Sequence, residues 1–210
     1  SDAVLYFQWR KSRGSAEKFH GAVVDHEGSG NTRVFREVTE LSKRLKGLDD
    51  IVGSLTDSNV AMLHNWDNRW ALEDAQGFER NAKKYLYTFT CYYGALWERG
   101  IDVDIIGRED DFSKYKLIIA PMQYLIPEET GKKLEKFVSL GGTIYFTYMT
   151  AMVNENDLCH LGGFPGAGLK NVCGIWNEEI DTLYPGESNT VRLKNGKDYT
   201  ATDYCEVIHL

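Results

Sequence analysis

The stretch LIIAPMQYLIPEETGKKLEKFVSLGGTIYFTY, Leu117 to Tyr148, decides the fold. Leu117–Ala120 is a four-residue apolar run stopped by Pro121, the mark of a short strand buried on both faces, as in a parallel sheet. Pro127 presets the backbone for a first helical turn, and Glu128 and Glu129 suit the positive end of that helix. Leu134, Phe137, Val138 and Leu140 form its buried face, and Gly141-Gly142 ends it. Thr143–Tyr148 is β-branched and aromatic and predicts a further strand.

The same grammar extends upstream. Val60–Leu63 predicts a compact strand, Phe78–Arg99 a helix closed by Gly100, and Ile101–Ile106 another strand. The helix places Phe78, Ala82, Tyr85, Leu86, Phe89, Tyr93, Leu96 and Trp97 on its apolar side. Short buried strands interleaved with helices predict an α/β fold, a flavodoxin-like doubly wound and mostly parallel sheet. Before it, Asn31 or Thr32 can cap a long helix whose apolar seam runs Val34, Val38, Leu41, Leu45, Leu48, Val52 and Leu55. Gly47 and Gly53 weaken its end. The seam suits either packing on the sheet or a helix partner across a subunit boundary. Ala3–Trp9 reads as a strand buried on both faces, Asp25–Asn31 as a linker, and residues 175–210 as strands joined by polar turns at Pro185-Gly186 and Asn195-Gly196.

A chain of 210 residues that is 42% hydrophobic can bury a real core, so disorder is excluded. Its formal charge of −7 and lack of a basic stripe speak against nucleic acid. Cys91, Cys159, Cys173 and Cys205 form no C-x-x-C pair and read as free or buried thiols of a reducing compartment. No run reaches the roughly 18 apolar residues of a membrane span. No basic, apolar, small-residue order marks a signal peptide, which points to the cytoplasm unless a true N-terminus lies upstream.

Three chemistries fail on the residues. Gly-rich phosphate motifs are missing; the first strand runs instead into His64-Asn65-Trp66-Asp67-Asn68-Arg69-Trp70, so no cofactor is expected. Amidotransferase chemistry on such a sheet needs a nucleophile on a sharp turn after a strand. Thr147-Tyr148-Met149-Thr150 stands there without a cysteine, and adjacent Cys159-His160 seldom forms a dyad. Glycoside hydrolysis needs two carboxylic groups across a sugar bond. Glu17, Asp67, Glu73, Asp74, Glu178, Glu179 and Asp181 supply acids, but spacing marks no pair. The cluster of His64, Trp66, Asp67, Arg69 and Trp70 leaves three readings open: a subunit contact or wall of a neighbour's site, packing within the domain, or a ligand platform.

Four motifs carry a family resemblance over nearly the whole chain: YFQWRKSRGSAEKFHGA (Tyr6–Ala22), HNWDNRWALE (His64–Glu73), PMQYLIPEE (Pro121–Glu129) and GGTIYFTYMTAMVNENDLCHLGGFPG (Gly141–Gly166). GIWNEEIDTL (Gly174–Leu183) extends them. The sequence resembles glycoside hydrolase family 42, bacterial retaining β-galactosidases with a catalytic (β/α)8 barrel and a trimerising middle domain of amidotransferase-like fold. The resemblance implies that residues 1–24 are the end of the barrel, 25–190 the trimerisation domain, and 191–210 a terminal strand extension. It implies that both catalytic glutamates lie on earlier barrel strands, so this chain carries none and is no enzyme on its own. It makes Glu17 and His20 the family's galactose-binding pair, with the i, i+3 spacing placing both on one helical face, and brings Trp9 and Arg10 to the barrel mouth. The implied partners are two further copies in a homotrimer, the rest of the β-galactosidase chain and its galactoside, with no metal, nucleic acid or membrane. A carbohydrate-binding module acting through Trp66 and Trp70 is the alternative, and an amidotransferase-like enzyme a third.

Overall fold

A computed structural model describes residues 3–77 and 83–210. The chain divides into two compact units, Ser1–Thr56 and Asp57–Leu210.

Among the described residues the first unit contains one regular helix, α1 (Arg33–Leu45), continued by a 3-10 turn over Lys46–Ile51. Thr32 caps it, its hydroxyl accepting from the Phe35 N–H at 3.4 Å. The expected run to Leu55 stops at Leu45, where Gly47 removes the helical bias. Its i, i+4 ion pairs, Arg33–Glu37 and Glu40–Arg44, lie on exposed surface. None of its residues is buried, so the seam is built but open, with Val34, Leu41, Leu45 and Leu48 exposed. Ala3–Trp9 is not a strand. Leu5 is 92% exposed, and the stretch reaches only one parallel bridge, Arg10 to Val24. A strand buried on both faces needs a neighbour along each edge, and only the short Val23-Val24 stretch pairs with this one. The helical face expected to hold Glu17 and His20 is likewise a turn: the His20 N–H bonds to the Glu17 carbonyl at 3.0 Å.

The second unit is built on four parallel strands: β1 (Val60–Leu63), β2 (Val103–Ile106), β3 (Leu117–Ala120) and β4 (Thr143–Phe146). They stand in the order β2-β1-β3-β4, with Val60 opposite Val103 on one side and Leu117 on the other. That is the flavodoxin order. The strand period of two distributes the core. Met62 and Ile119 join one apolar cluster, while Ala61, Leu63, Ile118 and Ala120 join another. Helix α3 (Tyr85–Trp97) supplies Tyr85 and Phe89 to the first cluster, and α4 (Glu128–Ser139) supplies Leu134 and Phe137 to the second.

A further helix, α2 (Trp66–Asp74), was not foreseen. Helix α3 begins at Tyr85 rather than Phe78, and Phe78 and Ala82 lie outside the described residues. Buried Lys83 precedes it, its ammonium donating to the carbonyls of Leu72 (2.7 Å), Glu73 (3.3 Å) and Ala75, a cation on the carbonyl end of α2. Gly100, at φ +66°, closes α3, with the Ile101 N–H returning to the Leu96 carbonyl at 3.1 Å. Pro127 is the cap of α4 rather than its first residue, and Leu140, just past the helix, is exposed rather than buried.

After a short helix α5 (Leu169–Cys173) the remaining strands are antiparallel. β5 (Trp176–Thr182) pairs with β8 (Tyr204–His209), and β6 (Asn189–Arg192) with β7 (Asp198–Ala201). The second turn expected, at Asn195-Gly196, closes the β6–β7 hairpin with Gly196 at φ +81°. Position 24/25 falls inside the first compact unit and position 190/191 within β6.

Gly131 sets the approach of α4 to the loop before α5. A Cβ there would lie 2.1 Å from the Ala167 carbonyl oxygen. Gly131→Ala should therefore cost about 1–3 kcal/mol by overpacking, although alanine is the better helix former by about 1 kcal/mol. Gly94→Ala, where a Cβ meets nothing within 4 Å, should be neutral or stabilising. Urea unfolding of the two variants tests the difference.

Candidate functional site

Open α/β sheets bind ligands past the carboxyl ends of their strands, where the strand order reverses. In this sheet that place lies between β1 and β3, and the protein's own amides fill it. Gln123, fully buried, donates from Nε2 to the carbonyls of Leu63 (2.9 Å) and Pro121 (3.2 Å). Asn68, also fully buried, donates to the Met122 carbonyl (3.1 Å) and accepts from the Leu125 N–H (2.8 Å). Asn65 accepts from the Arg108 N–H at 2.9 Å and reaches Gln123 at 3.5 Å. The Tyr85 hydroxyl is buried close to the Asn68 and Gln123 amides, and burial pushes its pKa up, keeping it protonated. Sequence reasoning missed this network. Its one signal was a lone amide, Gln123, among the apolar residues that follow a buried strand.

The His64–Trp70 cluster divides between inside and outside. Asn65 and Asn68 turn inward, while Trp66 and Trp70, four apart on α2, are 57% and 61% exposed. Their rings lie 6.0 Å apart at 32°, and the Arg69 guanidinium sits over Trp66 at 5.5 Å while bonding to Glu73 at 2.8 Å. Asp67 is ion-paired with Arg108, which ties α2 to the residues after β2. His64 packs among the rings of Trp66 (5.3 Å), Phe89 (5.6 Å) and Tyr85 (5.9 Å). Burial, aided by the charge of Arg69, holds its pKa below the usual histidine value.

The nucleophile position is also built and also inert. Past β4 the chain enters the left-handed region at Met149 (φ +55°) and Ala151 (φ +50°), and both side chains are fully buried. The sharp turn demanded by an amidotransferase thus exists as backbone, but its side chains are a thioether and a methyl group. The His160 ring is taken up by the Ile126 carbonyl (2.9 Å) and approached by Glu128 (3.4 Å), while Cys159 points to solvent. Burial pushes the Cys173 thiol up, further from the reactive thiolate. Among the described residues no group of three His, Cys, Asp or Glu side chains is placed to hold a metal ion.

In the first unit, Glu17 and His20 are exposed at the two ends of a tight turn, so the shared helical face is replaced by turn geometry. Trp9 is exposed and touches Phe35 edge-on at 6.2 Å, and Arg10 is exposed beside it in sequence.

Two family models match this chain. One, described as β-galactosidase, covers residues 1–48, and one described as β-galactosidase trimerisation domain covers residues 58–210. The chain belongs to glycoside hydrolase family 42. It is 50% identical to β-galactosidase Pbg of Clostridium perfringens over 215 residues and 49% identical to β-galactosidase GalA of Bacillus licheniformis over 210. In each case it is covered completely and spans 31% of the relative. A catalytic mutant of Gan42B, a family 42 β-galactosidase from G. stearothermophilus, superposes with a TM-score of 0.89 at 51% identity, covering 99% of this chain and 30% of that one. The family 42 trimerisation model thus falls on the unit whose ligand crevice and nucleophile turn are both filled.

His64 gives that unit a pH dependence of defined sign. Its folded-state pKa lies below the unfolded value, so the unfolded chain binds more protons as pH falls through the usual histidine range. Stability should therefore drop between about pH 7 and pH 5, and His64→Phe should flatten that slope. Urea midpoints measured across the range decide it.

Proposed function

We propose that this chain is the assembly part of a cytoplasmic, retaining β-galactosidase that hydrolyses terminal β-galactosides as a homotrimer, together with the closing piece of its catalytic barrel. The observation that carries the reading is the second unit itself. It matches a trimerisation family, while its crevice is filled by Gln123, Asn65 and Asn68 and its nucleophile turn by Met149. In this reading the second unit holds the copies together and the first contributes to sugar binding. The stretch 1–24 closes the barrel, the bulk of 25–190 assembles, and 191–210 completes the antiparallel strands.

Retaining hydrolysis needs two carboxylic groups roughly 5–5.5 Å apart, and barrel active sites draw on loops from many strands. Neither catalytic glutamate belongs to this chain. The exposed turn bearing Glu17 and His20 is free to meet a sugar when the rest of the barrel surrounds it. The carboxylate would accept from galactose hydroxyls by charge-assisted bonds and the imidazole would complete the clamp. Trp9 offers a ring face and Arg10 a donor at the same end. The carbohydrate-module alternative is disfavoured because Arg69 already lies over Trp66.

Light scattering over a concentration series should give a mass near three times the chain's 23.9 kDa, and calorimetry with galactose should show no binding to the chain alone. A monomer at every concentration refutes the assembly reading. Galactose binding that disappears in Trp66→Ala would establish the module instead.

A further inference from the structure

The helix α3, YLYTFTCYYGALW, holds no charged residue in thirteen positions. A helix apolar on all sides is ordinarily buried on all sides, yet α3 buries only Tyr85 and Phe89. Leu86, Thr90, Tyr93 and Trp97 fall at i, i+4, i+7 and i+11, one stripe facing outward, and Leu86 and Trp97 are 54% and 70% exposed. Exposed Tyr87 and Cys91 flank the stripe. The Thr90 hydroxyl is spent on its own helix, accepted by the carbonyls of Leu86 and Tyr87 at 2.9 Å each, so outward it offers a methyl group. Helix α4 on the opposite side of the sheet shows what a solvated helix of this domain looks like: it carries Glu128, Glu129, Lys132, Lys133, Glu135 and Lys136.

We propose that the outer face of α3 is the surface on which a second copy of this chain docks. Two observations select that occupant. The residues belong to the stretch matched by the trimerisation family. Identical copies at a formal charge of −7 each also repel, so their contact belongs where charge is absent, and α3 is such a place. Closed threefold symmetry makes the contact heterologous, so α3 of one copy meets a different surface of the next. Aromatic side chains such as Trp97, Tyr93 and Tyr87 are the usual anchors of such contacts. The proposal rests on the trimer reading and goes beyond it by naming the surface.

The test is light scattering of the unmodified chain, Trp97→Glu and Lys132→Glu, with circular dichroism of each. Unmodified chain and Lys132→Glu should be trimers, while Trp97→Glu should stay folded and lose at least 100-fold in association. A second measurement leaves α3 untouched. In Cys159→Ser, the labelling of Cys91 by a maleimide should slow at least 10-fold between dilute monomer and concentrated trimer. A trimer that persists in Trp97→Glu, or that leaves Cys91 labelling unchanged, overturns the α3 surface while the trimer reading survives. A monomeric unmodified chain overturns both.

Discussion

The Gln123 side chain, sealed from water, donates to the last carbonyl of β1 and to the carbonyl just past β3. These groups end the two central strands, where a parallel sheet runs out of ladder partners and buried carbonyls must still be satisfied. In ligand-binding relatives of this architecture the same place is the crevice for a nucleotide or flavin. Occupying it with a protein amide exchanges a binding site for a fixed joint. Asn68 extends the joint into α2, bonding both Met122 and Leu125 across it, so the orientation of α2 follows from the end of the sheet. The outward direction of Trp66 and Trp70 is a consequence of the inward direction of Asn68.

With the crevice between β1 and β3 closed, the two flanks of the sheet remain, and they are unequal. Helix α4 is amphipathic in the ordinary way, with Leu134 and Phe137 inside and its acids and lysines outside. Helix α3 reaches the core through Tyr85 and Phe89 and leaves an uncharged exterior. The first unit has its own open seam along α1. Large contiguous apolar patches are uncommon on the surface of lone domains, which is why the exterior of α3 is the face proposed for docking.

What the sequence disclosed follows from how local each signal is. β1 and β3 are where Val60–Leu63 and Leu117–Ala120 put them, because a four-residue apolar run bounded by polar or proline residues has few other solutions. Thr32 caps α1 as its residue type requires. The missing nucleophile was legible for the same reason, since its place follows a strand directly. Helix α2 was not, because its defining contacts are non-local: Asn68 is polar by type and core by position, a choice made by Met122 and Leu125 far along the chain. Ala3–Trp9 reads as a buried strand only if neighbours exist to bury it. The helical placing of Glu17 and His20 failed because i, i+3 spacing fits a single turn as well as a helix.

The loops after β3 and β4 show what the closed end achieves. Met122, Met149 and Ala151 all adopt left-handed backbone at φ +42°, +55° and +50°. For residues other than glycine such conformations cost on the order of 1–3 kcal/mol each and persist only where neighbours over-determine them. The neighbours do so: the Met122 N–H donates to the Thr147 hydroxyl (2.8 Å), the Ala151 N–H to the Gln123 carbonyl (2.8 Å) and the Met149 N–H to the Glu206 carboxylate (2.9 Å). Each loop is thereby bonded to the other, and Glu206 brings in β8. In an enzyme this strain would present a nucleophile; here it seats two buried methionines and locks three segments together. Association is weakened by whatever must be ordered when partners meet. A sheet whose end is already cross-braced leaves little to order, and that rigidity suits the assembly role proposed for this unit.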